Sequence, residues 1–252
     1  MVLDGVTMYG TSSNAVVSVS KSSADTVISV TNCEAVSENG VAINVSGSSE
    51  NVTVKDSTFI RKNGTGSSYA ITFNSKVKAV VEGVTAESTG MFALTANSSS
   101  EVTVSNSKFK AEFGAVRVNG KAVVNYPERM VMSNTPDAAG YYTLIKAEDY
   151  VPRKAVQIGE TYYEDFDSAI AAAKDGDTIV LLMDAAAIAS STLGDAEVPA
   201  STTVDLNGHK LGIIGRLTLN QTLTITDSTG KKSGLVFSGD IYAKATAGLI
   251  LK

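Results

Sequence analysis

Apolar residues in the first half of the chain fall at alternate positions over short runs, and a small polar residue or glycine ends each run. Alternation with a period of two is the signature of a half-buried strand. "NVTVKDSTF" (Asn51 to Phe59) and "EVTVSNSKF" (Glu101 to Phe109) share the pattern x-V-T-V-x-x-S-x-F and begin fifty residues apart. The residues that end successive runs are Gly5, Asn32, Asp56, Gly83 and Asn106, at intervals of 27, 24, 27 and 23 residues. A second strand follows in each unit, at 15–19, 41–45, 69–73, 92–96 and 115–118, and polar loops such as "SGSSE" and "NSSS" separate the units. Five units of strand, one-residue corner, short strand, loop, strand and loop therefore fill residues 1–126.

A unit of about 25 residues cannot bury its own apolar face, but units stacked about 4.8 Å apart pair every strand with its neighbour and fill the interior with like side chains. The pattern predicts an all-β chain, a right-handed parallel β-helix, because parallel crossovers are overwhelmingly right-handed. Gly, Asn and Asp at the corners fit a bend that needs a positive φ. Val52, Val54 and Phe59 are expected inside, in columns with Val102, Val104 and Phe109. An antiparallel β-sandwich also shows short strands at regular spacing, yet it leaves the near-constant corner period unexplained.

The pattern dissolves after residue 126. Pro127, Pro136 and Pro152, three of the four prolines, mark residues 127–154 as a cap or linker, with a small strand pair near "YYTLIKA". Beyond it, "AVQIG" and "TYY" flank a Gly-Glu turn and predict a hairpin. "DFDSAIAAAK" then places Phe166, Ala169, Ile170 and Ala173 on one apolar helical face, a short capping helix around 165–175. Asp165 is its expected N-cap and Gly176 its C-cap. "DTIVLLMD" reads as an apolar strand, and further coils complete residues 155–252.

"YYEDFDSAIAAAKDGDTIVLLMD", "STTVDLNGHKL" and "LTITDSTG" together resemble the N-terminal portion of pectate-lyase-like right-handed β-helix modules in large surface proteins of gut Firmicutes. The resemblance covers about 155–252, and residues 1–126 resemble the middle and end of the same module type. It implies a helix that plugs the first coil, and an extracellular place on a bacterial cell surface. The order is unusual, since the plug stands in the second half. "GLILK" and "MVLDG" both read as strands without a cap, and written end to start they make consecutive coils. Val2, Leu3, Val6 and Met8 with Leu249, Ile250 and Leu251 are thus the candidate assembly surfaces. Three arrangements fit: head-to-tail stacking into a fibre, a piece of a tandem array, or two halves stacked as a permuted helix. Met1 would then mark an added start or a processed boundary.

Composition narrows the chemistry. The 43% hydrophobic content of the 252 residues is ample for a core, and the net charge of −5 argues against nucleic acid or an anionic membrane. No apolar run reaches the ~18 residues of a membrane span, and the first residues lack a signal-peptide pattern. A lone Cys33 forms neither an internal disulfide nor a multi-thiolate site, and reads as a small buried residue.

The resemblance raises polysaccharide chemistry, and the sequence argues against it. Lyases of this shape use clustered carboxylates for Ca²⁺ and a basic residue on one strand face. Arg61, Arg117, Arg129, Arg153 and Arg216 do not fall among carboxylates spaced one coil apart. The single histidine, His209 in "DLNGHKL", has no neighbouring aspartate pair and reads as a turn residue. Asp205 and Asp227 are expected at matching corners of adjacent coils, and Asp175 and Asp177 as turn residues. Trp is absent, and Tyr141, Tyr142, Tyr162 and Tyr163 read as cap or core packing. No catalytic residue, metal or cofactor is expected. The expected function is a non-catalytic structural or adhesive module. Its partners would be a second copy or a surface glycan or host ligand, and the alternative is a polysaccharide-binding or polysaccharide-degrading β-helix.

Overall fold

The computed structural model describes residues 1–64, 69–187, 196–198, 201–214, 217–219, 222–231, 233–237, 239–243 and 248–252. Arg216 and most of the "NGTGSS" loop lie outside the described residues. The fold is a parallel β-solenoid, and the chain divides into two compact units, Met1–Val151 and Pro152–Lys252.

In the first unit each coil contributes one strand to each of three parallel sheets. The first sheet stacks Val2–Asp4, Val27–Thr31, Asn51–Lys55, Lys78–Glu82, Glu101–Ser105 and Val123–Asn125. The second stacks Thr7–Gly10, Glu34–Ser37, Thr58–Arg61, Thr85–Ser88 and Lys108–Lys110. The third stacks Val17–Ser22, Ile43–Gly47, Ile71–Ser75, Phe92–Ala96 and Gly114–Val118. The five corners all lie in the left-handed region, with φ of 65° at Gly5, 51° at Asn32, 46° at Asp56, 65° at Gly83 and 47° at Asn106. Four of these corners hand an N–H to the next coil: Gly5 to Thr31 O, Asn32 to Lys55 O, Asp56 to Glu82 O and Gly83 to Ser105 O, at 3.0–3.2 Å.

Register explains why the sequence repeats over fifty residues when a coil takes about half that. Val52 and Val54 pair with Ala79 and Val81, which pair in turn with Val102 and Val104. In the second sheet one column runs Met8, Ala35, Phe59, Ala86, Phe109, Tyr142. Large and small side chains alternate from Ala35 to Phe109. An alanine between the two phenyl rings lets the column fill the interior at native density. A second alternation accompanies it. The N–H one residue past the corner meets a serine hydroxyl of the next coil, Cys33 to Ser57 Oγ at 3.0 Å and Val84 to Ser107 Oγ at 3.1 Å. Both serines donate back to a corner carbonyl, of Lys55 and Ser105 respectively. Cys33 is buried in the same column, its Sγ 3.1 Å from Thr31 O, so it occupies a serine position as a thiol donor. The backbone is equally tight at Gly40, where an added Cβ would fall 1.9 Å from Asn14 O.

The far end of this unit is closed by the hairpin Met130–Met132 and Tyr142–Lys146, which lies antiparallel on Lys108–Lys110. Tyr142 is buried, and Tyr126 and Met132 pack against the core beside it.

The second unit begins with the expected hairpin, Val156–Ile158 with Thr161–Tyr163, antiparallel to Thr178–Leu181. Thr178–Leu181, Thr202–Asp205, Leu223–Thr226 and Leu249–Leu251 then stack in parallel. The other two sheets hold Ala185–Ala187, Lys210–Ile213 and Gly234–Phe237, and Ala196–Val198, Leu217–Leu219 and Ile241–Ala243. The helix Phe166–Ala172 buries Phe166, Ala169 and Ile170, and Ala173 follows them into the same core. Asp165 caps it by accepting from Ser168 N at 2.6 Å. The C-terminal expectation needs correction. Ala173 is the C-cap, already extended at φ −63°, ψ 140°. Gly176, at φ 83°, belongs to the next turn, in which Asp177 Oδ2 accepts from Lys174 N at 2.7 Å.

The alternating column makes two substitutions informative. Phe59→Ala should cost about 3–5 kcal/mol through cavity formation. Ala86→Phe, which makes the rungs more alike, should also destabilise, by about 1–3 kcal/mol or more through overpacking. Urea midpoints of the purified variants check both.

Candidate functional site

An array of polar side chains lies on the third sheet of the first unit. Asn74 is the penultimate residue of one strand, Asn97 and Asn119 directly follow the next two, and their amides form a continuous row. Asn119 Nδ2 donates to Asn97 Oδ1 at 2.6 Å, Asn97 Nδ2 to Asn74 Oδ1 at 2.7 Å, and Asn74 Nδ2 to Asn44 Oδ1 at 2.9 Å. Thr95 joins through its hydroxyl, 3.1 Å from Asn97 Oδ1. Arg117 pairs in register with Thr95, which pairs with Thr72, so these three form the neighbouring outward row. Arg117 Nη1 donates to the Tyr69 hydroxyl. Thr72 Oγ1, Arg117 Nε and Asn119 Oδ1 are shielded from water without a hydrogen-bond partner among the described residues. Sequence reasoning missed this array. Its signal was present, an asparagine at or just after the end of three third-sheet strands at spacings of 23 and 22 residues.

The other outward faces carry exposed ion pairs, Lys55 with Glu82 at 2.6 Å, Lys62 with Glu38 at 3.2 Å and Lys78 with Glu50 at 3.2 Å. Pairs so exposed are screened by solvent and stabilise the fold little. Tyr9 donates to Glu38, which holds the Tyr9 phenol above its usual pKa. A cleft of about 520 Å³ lies under the cap hairpin, lined by Asn106, Ser107, Lys108, Pro127, Met130 and Leu144 among others.

The aspartates expected at corners have structural partners there. Asp205 Oδ1 accepts from Asn207 N at 2.9 Å and from Ser228 N of the next coil at 3.0 Å. Burial alone would raise the Asp205 pKa, and these hydrogen bonds outweigh it and leave the group below its ordinary value. Asp227 Oδ1 accepts from Thr229 N, Thr229 Oγ1 and, one coil back, Gly208 N at 3.1 Å. Hydrogen bonds from Ser233 and Thr229 lower Asp227 to about 2. The two carboxylates interleave by binding each other's turns. His209 Nδ1 is 3.6 Å from Asp184 Oδ1, and Asp184 also accepts from Lys210 N. Asp177 closes its turn as described, and Asp175 is exposed. Among the described residues no group of three His, Cys, Asp or Glu is placed to hold a metal ion.

Of the tyrosines, Tyr142 is core. Tyr163 packs half-buried on the second core, and Tyr162 is exposed under the Lys154 ammonium, 4.1 Å from its ring centre. Tyr141 lies beneath Lys108 at 4.7 Å and donates to Glu87. Arg61 Nη2 donates to Asn39 O, and Arg153 Nε to Glu164 O.

The candidate assembly residues lie on edge strands of the two units, except Val6, which lies between Val2–Asp4 and Thr7–Gly10. In the first unit Leu3 and Met8 face the core column from the outermost coil, Val6 is half-exposed beside them, and Val2 points outward. In the second, Leu249 and Leu251 stack on the buried Leu223 and Ile225, while Ile250 pairs with the outward Thr224.

No protein-family model, curated protein or solved structure matches the chain. No helix among the described residues is long and apolar enough to cross a membrane.

Two outcomes follow from the hydrogen bonds. Asn97→Ala leaves the Asn74 acceptor and the Asn119 donor unpaired, and should cost about 1–3 kcal/mol, measured by urea unfolding. Asp227, lowered when folded from an unfolded value near ~3.9, stabilises fully above that value. The contribution is lost as pH falls from about 4 through about 2. Asp227→Asn should therefore flatten the loss of thermal stability in that window and leave its shape near pH 7 unchanged.

Proposed function

We propose that this chain is a non-catalytic structural module of an extracellular bacterial surface protein, of the pectate-lyase-like β-helix type. One observation carries the reading: the side chains best suited to chemistry are tied to neighbouring coils. Asn74, Asn97 and Asn119 bind one another, Ser57 and Ser107 take backbone N–H groups from the coil before, and Asp205 and Asp227 bind each other's turns. Groups used in this way supply rigidity and a regular surface. The surface location rests on the resemblance of "YYEDFDSAIAAAKDGDTIVLLMD" and the coils after it. Incubation with pectin, alginate and host glycans should yield no new reducing ends and no unsaturated products. Turnover that disappears on substituting an exposed aspartate would overturn the reading.

A second reading, glycan binding, is favoured by the third-sheet face. The guanidinium of the partly buried Arg117 lies on that face beside Tyr69 and the amide row, a cation suited to an acidic polysaccharide. If that reading holds, Arg117→Ala lowers retention on an immobilised acidic polysaccharide at least severalfold. Equal retention of both proteins removes it.

A further inference from the structure

The sequence contains four Asn–Gly pairs, Asn39–Gly40, Asn63–Gly64, Asn119–Gly120 and Asn207–Gly208. Asparagine is a thermolabile residue, above all before glycine, whose missing Cβ leaves its nitrogen open to the side chain ahead of it. That nitrogen attacks the asparagine Cγ, and to do so its N–H must give up a proton. A hydrogen bond that holds the N–H on an acceptor of its own opposes the attack.

All four asparagine side chains are tied in the same way, through Nδ2. Asn39 donates to Thr11 O at 2.7 Å, Asn63 to Glu38 Oε2 at 3.2 Å, Asn207 to Leu181 O at 2.9 Å and Asn119 to Asn97 Oδ1 at 2.6 Å. The side chains therefore do not distinguish the pairs, but the glycine nitrogens do. Gly40 N donates to Ser37 Oγ at 2.9 Å, Gly64 N to Thr89 Oγ1 at 2.6 Å and Gly208 N to Asp227 Oδ1 at 3.1 Å. Gly120 N has no hydrogen-bond partner among the described residues. Coil register explains the difference. Asn119 N and Lys121 N, on either side, donate back to Ala96 O and Ser98 O of the coil before. Alternation along a parallel strand turns the nitrogen between them the other way, toward the open side of Gly114–Val118, the edge strand of the third sheet. Gly120 is half-buried, so solvent reaches it.

We propose that Asn119 is a site of spontaneous deamidation. The bond from Gly120 N to Asn119 Cγ forms and the Cγ–Nδ2 bond breaks. Ammonia leaves with the former N–H proton, and a cyclic succinimide remains. One water then opens either C–N bond of the imide, giving aspartate or isoaspartate at position 119. The product has no donor where Nδ2 stood, so a carboxylate faces Asn97 Oδ1 and the last rung of the amide row is lost. The rung between Asn97 and Asn74 is kept, and the row ages from its outer end. The modification is independent of both functional readings above.

Peptide mapping by mass spectrometry tests the site. Folded protein is held in warm, mildly alkaline buffer, sampled over time and digested under mildly acidic conditions, which suppress conversion during digestion. The mass gain of an amide-to-acid change should accumulate at Asn119 at least severalfold faster than at Asn39, Asn63 and Asn207, as both aspartate and isoaspartate. In urea, where the other glycine nitrogens lose their acceptors, the rates should converge. Native rates that do not single out Asn119 overturn the proposal, as does a preference of the same size in urea. Asn119→Asp should lower the urea midpoint relative to the wild-type chain, and an unchanged midpoint overturns the loss of the rung.

Discussion

The first unit depends on one constraint: a chain that turns through a single left-handed residue and still hands its N–H to the coil beyond. Gly5, Asn32, Asp56 and Gly83 meet both requirements. The left-handed conformation keeps the bend to one residue, and the donated N–H means that even the corner belongs to the stack. The strands on either side then have no freedom of register, because a slip by one residue would turn each valine column out to solvent. From that follow the filled interior, the column of alternating Phe and Ala, and the serines that catch the first N–H past the bend.

Much of this was legible in the sequence, for physical reasons. Asn, Asp and Gly are the residues that tolerate a positive φ, so their recurrence located the corners directly. Period-two alternation located Val52, Val54 and Phe59. The helix was legible from its apolar face, but its end was not. Ala173 leaves the helix although alanine is the best helix former, because its side chain is needed in the core of the second unit. Cys33 was correctly expected to be buried, yet nothing local showed that it occupies a serine position. That requires Ser57 and Ser107 in the same column, and columns exist only once register is known.

The asparagine row was missed for a related reason. Asn74, Asn97 and Asn119 sit where a strand runs into a polar loop, so each alone reads as loop chemistry. Their meaning is relational, since an amide that both donates and accepts is satisfied only when another amide lies one coil away. The aspartates show the same effect in reverse. Asp205 and Asp227 look like a cation site when counted as carboxylates. Placed in their turns, they are acceptors for backbone N–H groups of two coils. In this solenoid these polar residues serve stacking first.

The central claim, that corners are hydrogen-bonded members of the stack, is tested most directly by amide hydrogen exchange on the intact protein. The N–H groups of Asn32, Asp56 and Gly83 should exchange as slowly as those of the strands beside them, and far more slowly than the loop amides of Ser12 and Ser13. Corner amides that exchange at the loop rate would contradict the account.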